Sequence, residues 1–288
     1  MVSTFNTETT EEKSICIYDN LKVVTIDEVD EMYDKIISEI NGGKLGCIAI
    51  NMENFHSEYY DNEVRQKFIN SGKEHGCEKI EIIDYYTHLY SDKIFQSKAT
   101  VKDGDVVWMF DPDMMYIWQI SQGKAKFIME YMWYSTFSYR RLEKIRQTSK
   151  VDKDPDIILF YNNVSFTKGI ARKIFPKCRL SPFKAASFAS LTRARIASAE
   201  PALINYNAAT VLEQNINVKI GDKEILAVER LQTLPFSRTV AVSNPKNESE
   251  VKIILERHTY TEKLPAAEKF SIQVSIDSDS IISVKFDL

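Results

Sequence analysis

Residues 46–90 read GCIAINMENFHSEYYDNEVRQKFINSGKEHGCEKIEIIDYYTHLY. Cys47-Ile48-Ala49-Ile50 is a short apolar run preceded by Gly42-Gly43, the pattern of a buried strand. Asp61 is placed to cap a helix, since its carboxylate can accept from the free amides of a first turn. That helix carries Val64, Phe68 and Ile69 on one face and stops at Gly76, where a left-handed residue can end it. Lys79-Ile80-Glu81-Ile82-Ile83 is a second strand, and Thr87 to Tyr90 begins another helical turn. The stretch therefore reads strand, loop, helix, turn, strand, helix.

This arrangement, with its residues, resembles the heat shock protein 70 family. There a strand ending V-P-A-Y-F leads to a helix with Q-R-Q, the phrase D-A-G-x-x-A-G-L, and a strand ending I-I-N-E-P-T-A-A. In this chain Tyr59-Tyr60 stands for Y-F, Arg65-Gln66 for part of Q-R-Q, and Asn70-Ser71-Gly72 for D-A-G. His75-Gly76-Cys77 stands for A-G-L and Ile82-Ile83-Asp84-Tyr85-Tyr86-Thr87 for I-I-N-E-P-T, with no gap from Tyr59 to Tyr90. The family's Glu and Pro after the second strand are Tyr85 and Tyr86 here.

Upstream, residues 1–13 are polar and expected to fray. Ile15 to Val24 is expected to form a β-hairpin turning at Asp19-Asn20. Thr25-Ile26-Asp27-Glu28 fits a capping box. The helix after it puts Val29, Met32, Ile36, Ile37 and Ile40 on one face and ends at Gly42. A helix of this kind precedes the V-P-A-Y-F strand in the family, so the likeness reaches back to Lys22. Family members begin with a hairpin whose D-L-G-T-T loop grips nucleotide phosphates; nothing before Lys22 matches it, which implies an incomplete first lobe.

Downstream, Val106 to Asp111, Tyr116 to Ile120 and Lys124 to Tyr131 read as three strands, the last two joined at Ser121-Gln122-Gly123. They resemble the family's V-L-I-F-D-L-G-G-G-T-F-D-V-S-I, its second phosphate loop. Backbone amides close on phosphate oxygens only where no side chain intervenes, which is why that loop is glycine-rich. Here it reads Asp111-Pro112-Asp113-Met114-Met115. Pro112 has no amide hydrogen and Asp113 adds negative charge, so a tight hairpin is expected and phosphate binding is not. Thr136 to Gln147 reads as a helix and Lys150 to Asp156 as a charged link, where the family inserts a further subdomain. Ile157 to Tyr161, then Asn162-Asn163-Val164-Ser165-Phe166 and a helix from Thr167 to Phe175, resemble I-V-L-V-G-G-S-T-R-I-P, with asparagines for both glycines. Phe183 to Ala199 resembles the helix D-E-A-V-A-Y-G-A-A; Ala185, Ala186, Ala189, Ala194 and Ala197 permit close packing. From 157 to 199 there are eight Lys or Arg and no Asp or Glu. An anion patch and a solvated helix face both fit. The second is preferred, because aromatic and basic residues do not interleave as a single-strand groove requires.

After Asn205 the pattern changes from helical to alternating. Val218–Ile220, Glu224–Glu229, Arg238–Val242, Val251–Glu256, Phe270–Ile276 and Ser280–Phe286 read as strands, separated by turn signals such as Gly221-Asp222 and Asp277-Ser278-Asp279. This half resembles the family's peptide-binding β-sandwich. Leu226 to Arg230 through Thr233-Leu234-Pro235 follows L-I-x-R-N-T-T-I-P, and Phe270 to Val284 follows I-E-V-T-F-D-I-D-A-N-G-I-L-N-V, with Ser280 for the turn glycine. Thr210 to Glu213 takes the place of the interdomain linker, and the matched segment ends at Leu288 without the family's helical lid. The expected fold class is thus an incomplete α/β actin-like ATPase-type domain over residues 1–213, followed by an all-β sandwich over 214–288. The resemblance places peptide-binding positions at Ile225, Leu226, Val228, Phe236 and Val240; alternation along strands sends about half of such residues into a core instead.

With 288 residues and 44% hydrophobic content, the chain can build two domains or one large one. A net charge of -4 argues against general nucleic-acid binding. Cys16, Cys47, Cys77 and Cys178 are scattered and form no CxxC, which suits reduced thiols and neither a disulfide frame nor a zinc site. His56, His75, His88 and His258 show no ligand spacing, and no Ser or Cys sits in a nucleophile motif. No apolar stretch approaches the roughly 20 residues of a membrane span, and no signal peptide is read, so the expectation is a soluble cytoplasmic protein. The function implied by the resemblance is a divergent heat shock protein 70-like chaperone without ATPase activity, binding unfolded polypeptide or a cochaperone through the β-half. The alternatives are an ATP-dependent chaperone with atypical loops, in which ATP and magnesium would enter, and a non-catalytic interaction scaffold. No catalytic, nucleotide-binding or metal residue is nominated, and neither nucleic acid nor membrane is expected as a partner.

Overall fold

The computed structural model describes residues 2–5, 15–18, 26–40, 45–52, 62–132, 138–161, 168–184, 189–200, 202–244, 248–256 and 258–288. The turn at Asp19-Asn20, Thr25 of the capping box, Gly42, Tyr59-Tyr60, Asp61, Asn162-Asn163-Val164-Ser165-Phe166 and Ala185-Ala186 lie outside the described residues. Within these bounds the fold is mixed α/β, with six α-helices and four sheets. It divides into two compact units, one joining Met1–Tyr85 to Thr210–Leu288 and the other formed by Tyr86–Ala209.

The first unit begins with β1 (Val2–Phe5), β2 (Ile15–Tyr18), α1 (Glu28–Glu39), β3 (Cys47–Asn51), α2 (Asn62–Glu74) and β4 (Lys79–Ile83). Their sheet runs β2-β1-β3-β4, with β3 and β4 parallel and β1 antiparallel to both neighbours. Here the structure corrects the expectation that residues 2–5 fray. The strand at Ile15 pairs backward with Val2–Phe5, a segment expected to fray, because β1 has a partner on each edge. Helix α1 buries Val29, Met32, Tyr33 and Ile36 against β3 and against Val64, Phe68 and Ile69 of α2, while Ile37 and Ile40 sit at the margin. Tyr33 Oη donates to the Phe68 carbonyl at 2.8 Å. The α1–α2 approach depends on Gly72, where a Cβ would lie 2.5 Å from Ile80 Cδ1 and 2.6 Å from Tyr33 Oη.

The second unit contains α3 (Tyr85–Ser97, from its second residue), β5 (Val106–Phe110), β6 (Met114–Ser121), β7 (Lys124–Met132), α4 (Tyr139–Thr148), β8 (Ile157–Tyr161), α5 (Lys168–Ile174), β9 (Arg179–Phe183) and α6 (Ala189–Ala197). The sheet order is β7-β6-β5-β8-β9: an antiparallel meander, then two strands parallel to β5. Strand β5 is apolar throughout because it is covered on both faces. Val106, Trp108 and Phe110 pack with Leu142 and Ile145 of α4 and Ala171 and Ile174 of α5. The alternate Val107 and Met109 are equally buried. Tyr86 and Tyr90 of α3 pack at a tilt against Phe127 and Trp118, with ring centroids 4.3 and 5.4 Å apart. Ala189 and Ala194 of α6 are fully buried, the close packing their size permits.

The chain then returns to the first unit through β10 (Ile216–Ile220), β11 (Lys223–Val228), β12 (Phe236–Ser243), β13 (Glu250–Ile254), β14 (Thr259–Lys263), β15 (Lys269–Ile276) and β16 (Ile282–Asp287). These form two antiparallel sheets, β11-β10-β13-β14 and β12-β15-β16. Period-2 alternation sends Ile216, Val218 and Ile220 of β10, Val251 and Ile253 of β13, and Phe270, Ile272, Val274 and Ile276 of β15 into one shared apolar core. A polar seam ties this half to α2 and β4. Asn62 brackets Ile282, its Oδ1 accepting from the amide and its Nδ2 donating to the carbonyl, each at 2.7 Å. The Asn62 amide donates to Tyr260 Oη at 2.9 Å, and the Tyr85 amide donates to Glu213 Oε1 at 2.9 Å. Ile281 packs against the α1–β3–α2 core.

Candidate functional site

Strands β11 and β12 are each the end strand of their sheet, so one edge of each carries amides and carbonyls outside the ladder. Between β11, its turn from β10 and the last residues of β12 lies an open groove of about 790 Å³. Its apolar surface comes from Ile225, Val240 and Val242; Asp222, Glu224 and Glu248 set three carboxylates at the rim against the single amine of Lys223. That size falls within the range of ordinary ligand sites.

The groove's shape is fixed by turn chemistry. Gly221 has φ +55°, which turns β10 into β11, and an added Cβ would press on Glu248 Oε1 at 3.0 Å. A β-bulge between Val218 and Lys219 shifts the β10–β11 register so that Lys219 faces Glu224. Buried Asn244 holds the far wall: its Nδ2 donates to the Glu248 carbonyl, its Oδ1 accepts from the Glu248 amide, both at 2.9 Å, and its own amide donates to the Glu268 carbonyl at 2.7 Å.

The five positions nominated from the resemblance divide. Ile225 and Val240 are half-buried and meet in the groove. Leu226 and Val228 are 4% and 3% exposed and belong to the core between the two sheets. Phe236 is half-buried at the margin of that core. The sequence reading nominated none of Ile220, Val242, Asn244 and Glu248 for a site. Gly221-Asp222 was the available signal, since a tight turn at a sheet end brings its flanking residues to one rim.

At the β5–β6 connection the Asp111 amide donates to the Met114 carbonyl at 2.9 Å, closing a tight turn. Burial pushes the Asp111 carboxyl above its ordinary range, opposed by Lys93 and reinforced by Asp113. The loop thus presents two carboxylates, Asp111 and Asp113. Among the described residues no group of three or more His, Cys, Asp or Glu is arranged to hold a metal ion, and no helix is long and apolar enough to cross a membrane. Cys47, Cys77 and Cys178 are free thiols; burial pushes Cys77 up to about 12 and Cys178 up to about 11, which holds both as unreactive thiols near neutral pH.

No protein-family model matches the chain, and no curated protein matches it. Among solved structures, the Argonaute protein from Methanocaldcoccus janaschii is similar at 11% identity and a TM-score of 0.20. The alignment covers 93% of this chain and 36% of that one, so the chain spans about a third of that structure's length. A likeness of this size carries no argument about fold or function.

Proposed function

We propose that this chain is a divergent heat shock protein 70-like chaperone that holds extended polypeptide in the groove between β11 and β12 and does so without hydrolysing ATP. The observation that carries the proposal is the pairing of two end strands around a groove floored by Ile225, Val240 and Val242. An extended segment laid there can satisfy its backbone on an exposed strand edge, which is indifferent to sequence, and place one aliphatic side chain on the apolar floor. The carboxylates at Asp222, Glu224 and Glu248 favour clients with basic residues beside that side chain. Support for the wider reading comes from the β5–β6–β7 meander followed by parallel β8 and β9, the strand sequence that an actin-like ATPase-type lobe implies. The finer identity of that lobe is part of the proposal. The Asp111-Pro112-Asp113 turn supports the absence of ATP turnover, since phosphoryl transfer depends on positioned charge stabilisation.

The test is fluorescence anisotropy of the full chain with a labelled leucine-rich peptide carrying flanking lysines. Saturable binding is expected. Val240→Asp, which puts charge on the groove floor, should weaken it at least about tenfold. Ser283→Ala, on an exposed position of β16, should leave it unchanged. Circular dichroism on each variant confirms folding. ATP with magnesium should change neither the affinity nor the melting temperature; a nucleotide at a hundredfold over its Kd would stabilise by about 2.7 kcal/mol and would support the ATP-dependent reading instead.

A further inference from the structure

We propose that the turn joining β15 to β16 is a proton-operated clasp, with Asp279 closing the β-half onto α2 and β4 in mild acid and loosening it as the solution turns neutral. The inference does not rest on the groove being a peptide site. The register of β12 with β15 puts the clasp and the groove at opposite ends of the same strand pair: Phe236 faces Ile276 beside the turn, and Val242 faces Phe270 beside the groove.

The clasp is built from specific atoms. Asp279 Oδ1 accepts from the Ile82 amide of β4 at 2.8 Å. The Asp279 carbonyl accepts from Arg65 Nη1 of α2 at 2.8 Å. Asp277 shapes the turn, its Oδ1 accepting from the Asp279 and Ile281 amides at 2.9 Å each. Ile281 is then delivered into the α1–β3–α2 core. Closing the clasp therefore takes the Asp279 carboxyl partly out of water and commits one of its oxygens to β4.

The charges around that carboxyl make the closed state sensitive to its proton. Asp277 faces it from its own turn and Glu81 from β4, both negative, while Arg65 of α2 is the facing cation. Arg65 is 4% exposed and already directed elsewhere, to the Asp279 carbonyl and, at 4.0 Å, to Glu213 of the segment leading into β10. The ionised carboxylate is thus held half-buried near two carboxylates with a distracted partner. Burial first, and then Asp277 and Glu81, hold the Asp279 carboxyl up to about 6, with the Ile82 amide and Arg65 opposing. For a carboxyl raised on closing, the protonated form is favoured in the closed state. Its contribution is complete below the ordinary carboxylate value and is lost as pH rises through about 6.

The experiment is NMR on the full chain. The Asp279 carboxyl carbon should titrate near 6, and a midpoint near 4 would overturn the proposal. The Ile82 amide, after correction for intrinsic exchange, should open about tenfold more often at about pH 7.5 than at about pH 5. Protection of Ile82 that does not change with pH would also overturn it. Asp279→Asn keeps the acceptor oxygen without the charge, so Ile82 should be protected equally at both pH values; a variant that keeps the pH dependence contradicts the assignment to Asp279. Glu81→Gln, which removes one facing carboxylate and leaves the clasp's hydrogen-bonding atoms in place, should lower the Asp279 midpoint, and an unmoved midpoint counts against the charge argument.

Discussion

Strands β5 and β12 use opposite sequence strategies. Every residue of β5 is fully buried, both of its edges are paired, and α4 and α5 pack against it. Strand β12 exposes Ser237, Arg238, Thr239, Ala241 and Ser243, buries Val242 among its side chains, and ends its sheet. The difference separates where the protein spends its apolar residues from where it can recognise something. A strand filled on both sides contributes stability and has no backbone left to offer. A strand anchored by one face can lend its free edge to another chain while its own sheet stays intact.

The largest effect expected from this contrast is at Trp108, which lies edge-on to Phe175 at 5.1 Å in the middle of β5. Trp108→Ala should cost about 3–5 kcal/mol in chemical denaturation, whereas Thr239→Ala on β12 should stay within about 0.5 kcal/mol. Similar costs at the two sites would break the comparison. The next contrast sets a filled helix site against an open one. Gly72→Ala forces a methyl against Ile80 and Tyr33 and should cost about 1–3 kcal/mol. Gly169→Ala in α5 meets nothing within 4 Å and should stabilise by up to about 1 kcal/mol through helix propensity. A thermal-melt series on both variants reads the sign directly.

The smallest effect concerns pH at the α1–α2 pairing. His75 stacks on Tyr33 with ring centroids 5.4 Å apart, its Nδ1 lies 2.7 Å from the Ser71 carbonyl, and its Nε2 lies 3.1 Å from Asp34 Oδ1. Burial pulls its pKa down, but these two acceptors prevail and hold it above the ordinary histidine value. The contribution of the charged form is therefore present below that ordinary value and lost as pH rises through the raised one. An NMR titration should show His75 above a typical histidine and falling on Asp34→Asn; no response to that substitution would remove Asp34 from the account.

What could be read from the sequence was local. The strand expected over Val106 to Asp111 is observed over Val106–Phe110, and β3 and β8 fall where apolar runs placed them, because a fully covered strand writes itself as an unbroken hydrophobic run. Edge strands were harder. β9 contains Pro182 and β14 is the polar Thr259–Lys263, so neither carries a run or a clean alternation. Pairings over long sequence distances left no local trace. Nothing near Ile15 announces Val2–Phe5 as its partner, and nothing near Asn62 announces Ile282. The groove was half legible. Alternation marks which of Ile225, Leu226 and Val228 share a face, but which face meets the core depends on the register against β10 and its bulge. Ser280 is a finer case: the resemblance gave a glycine there, and Ser280 keeps the turn at φ +61° with the strain that a side chain brings in the left-handed region.

The most direct test of the central claim is to map bound peptide on the full chain by amide hydrogen exchange. With a saturating leucine-rich peptide, protection should rise at Ile220 to Ile225 and at Val240 to Asn244, while β5 and β8, already fully covered, stay as they were. Protection that appears only outside those two segments, or none at saturating peptide, would contradict the assignment of the groove as the binding site.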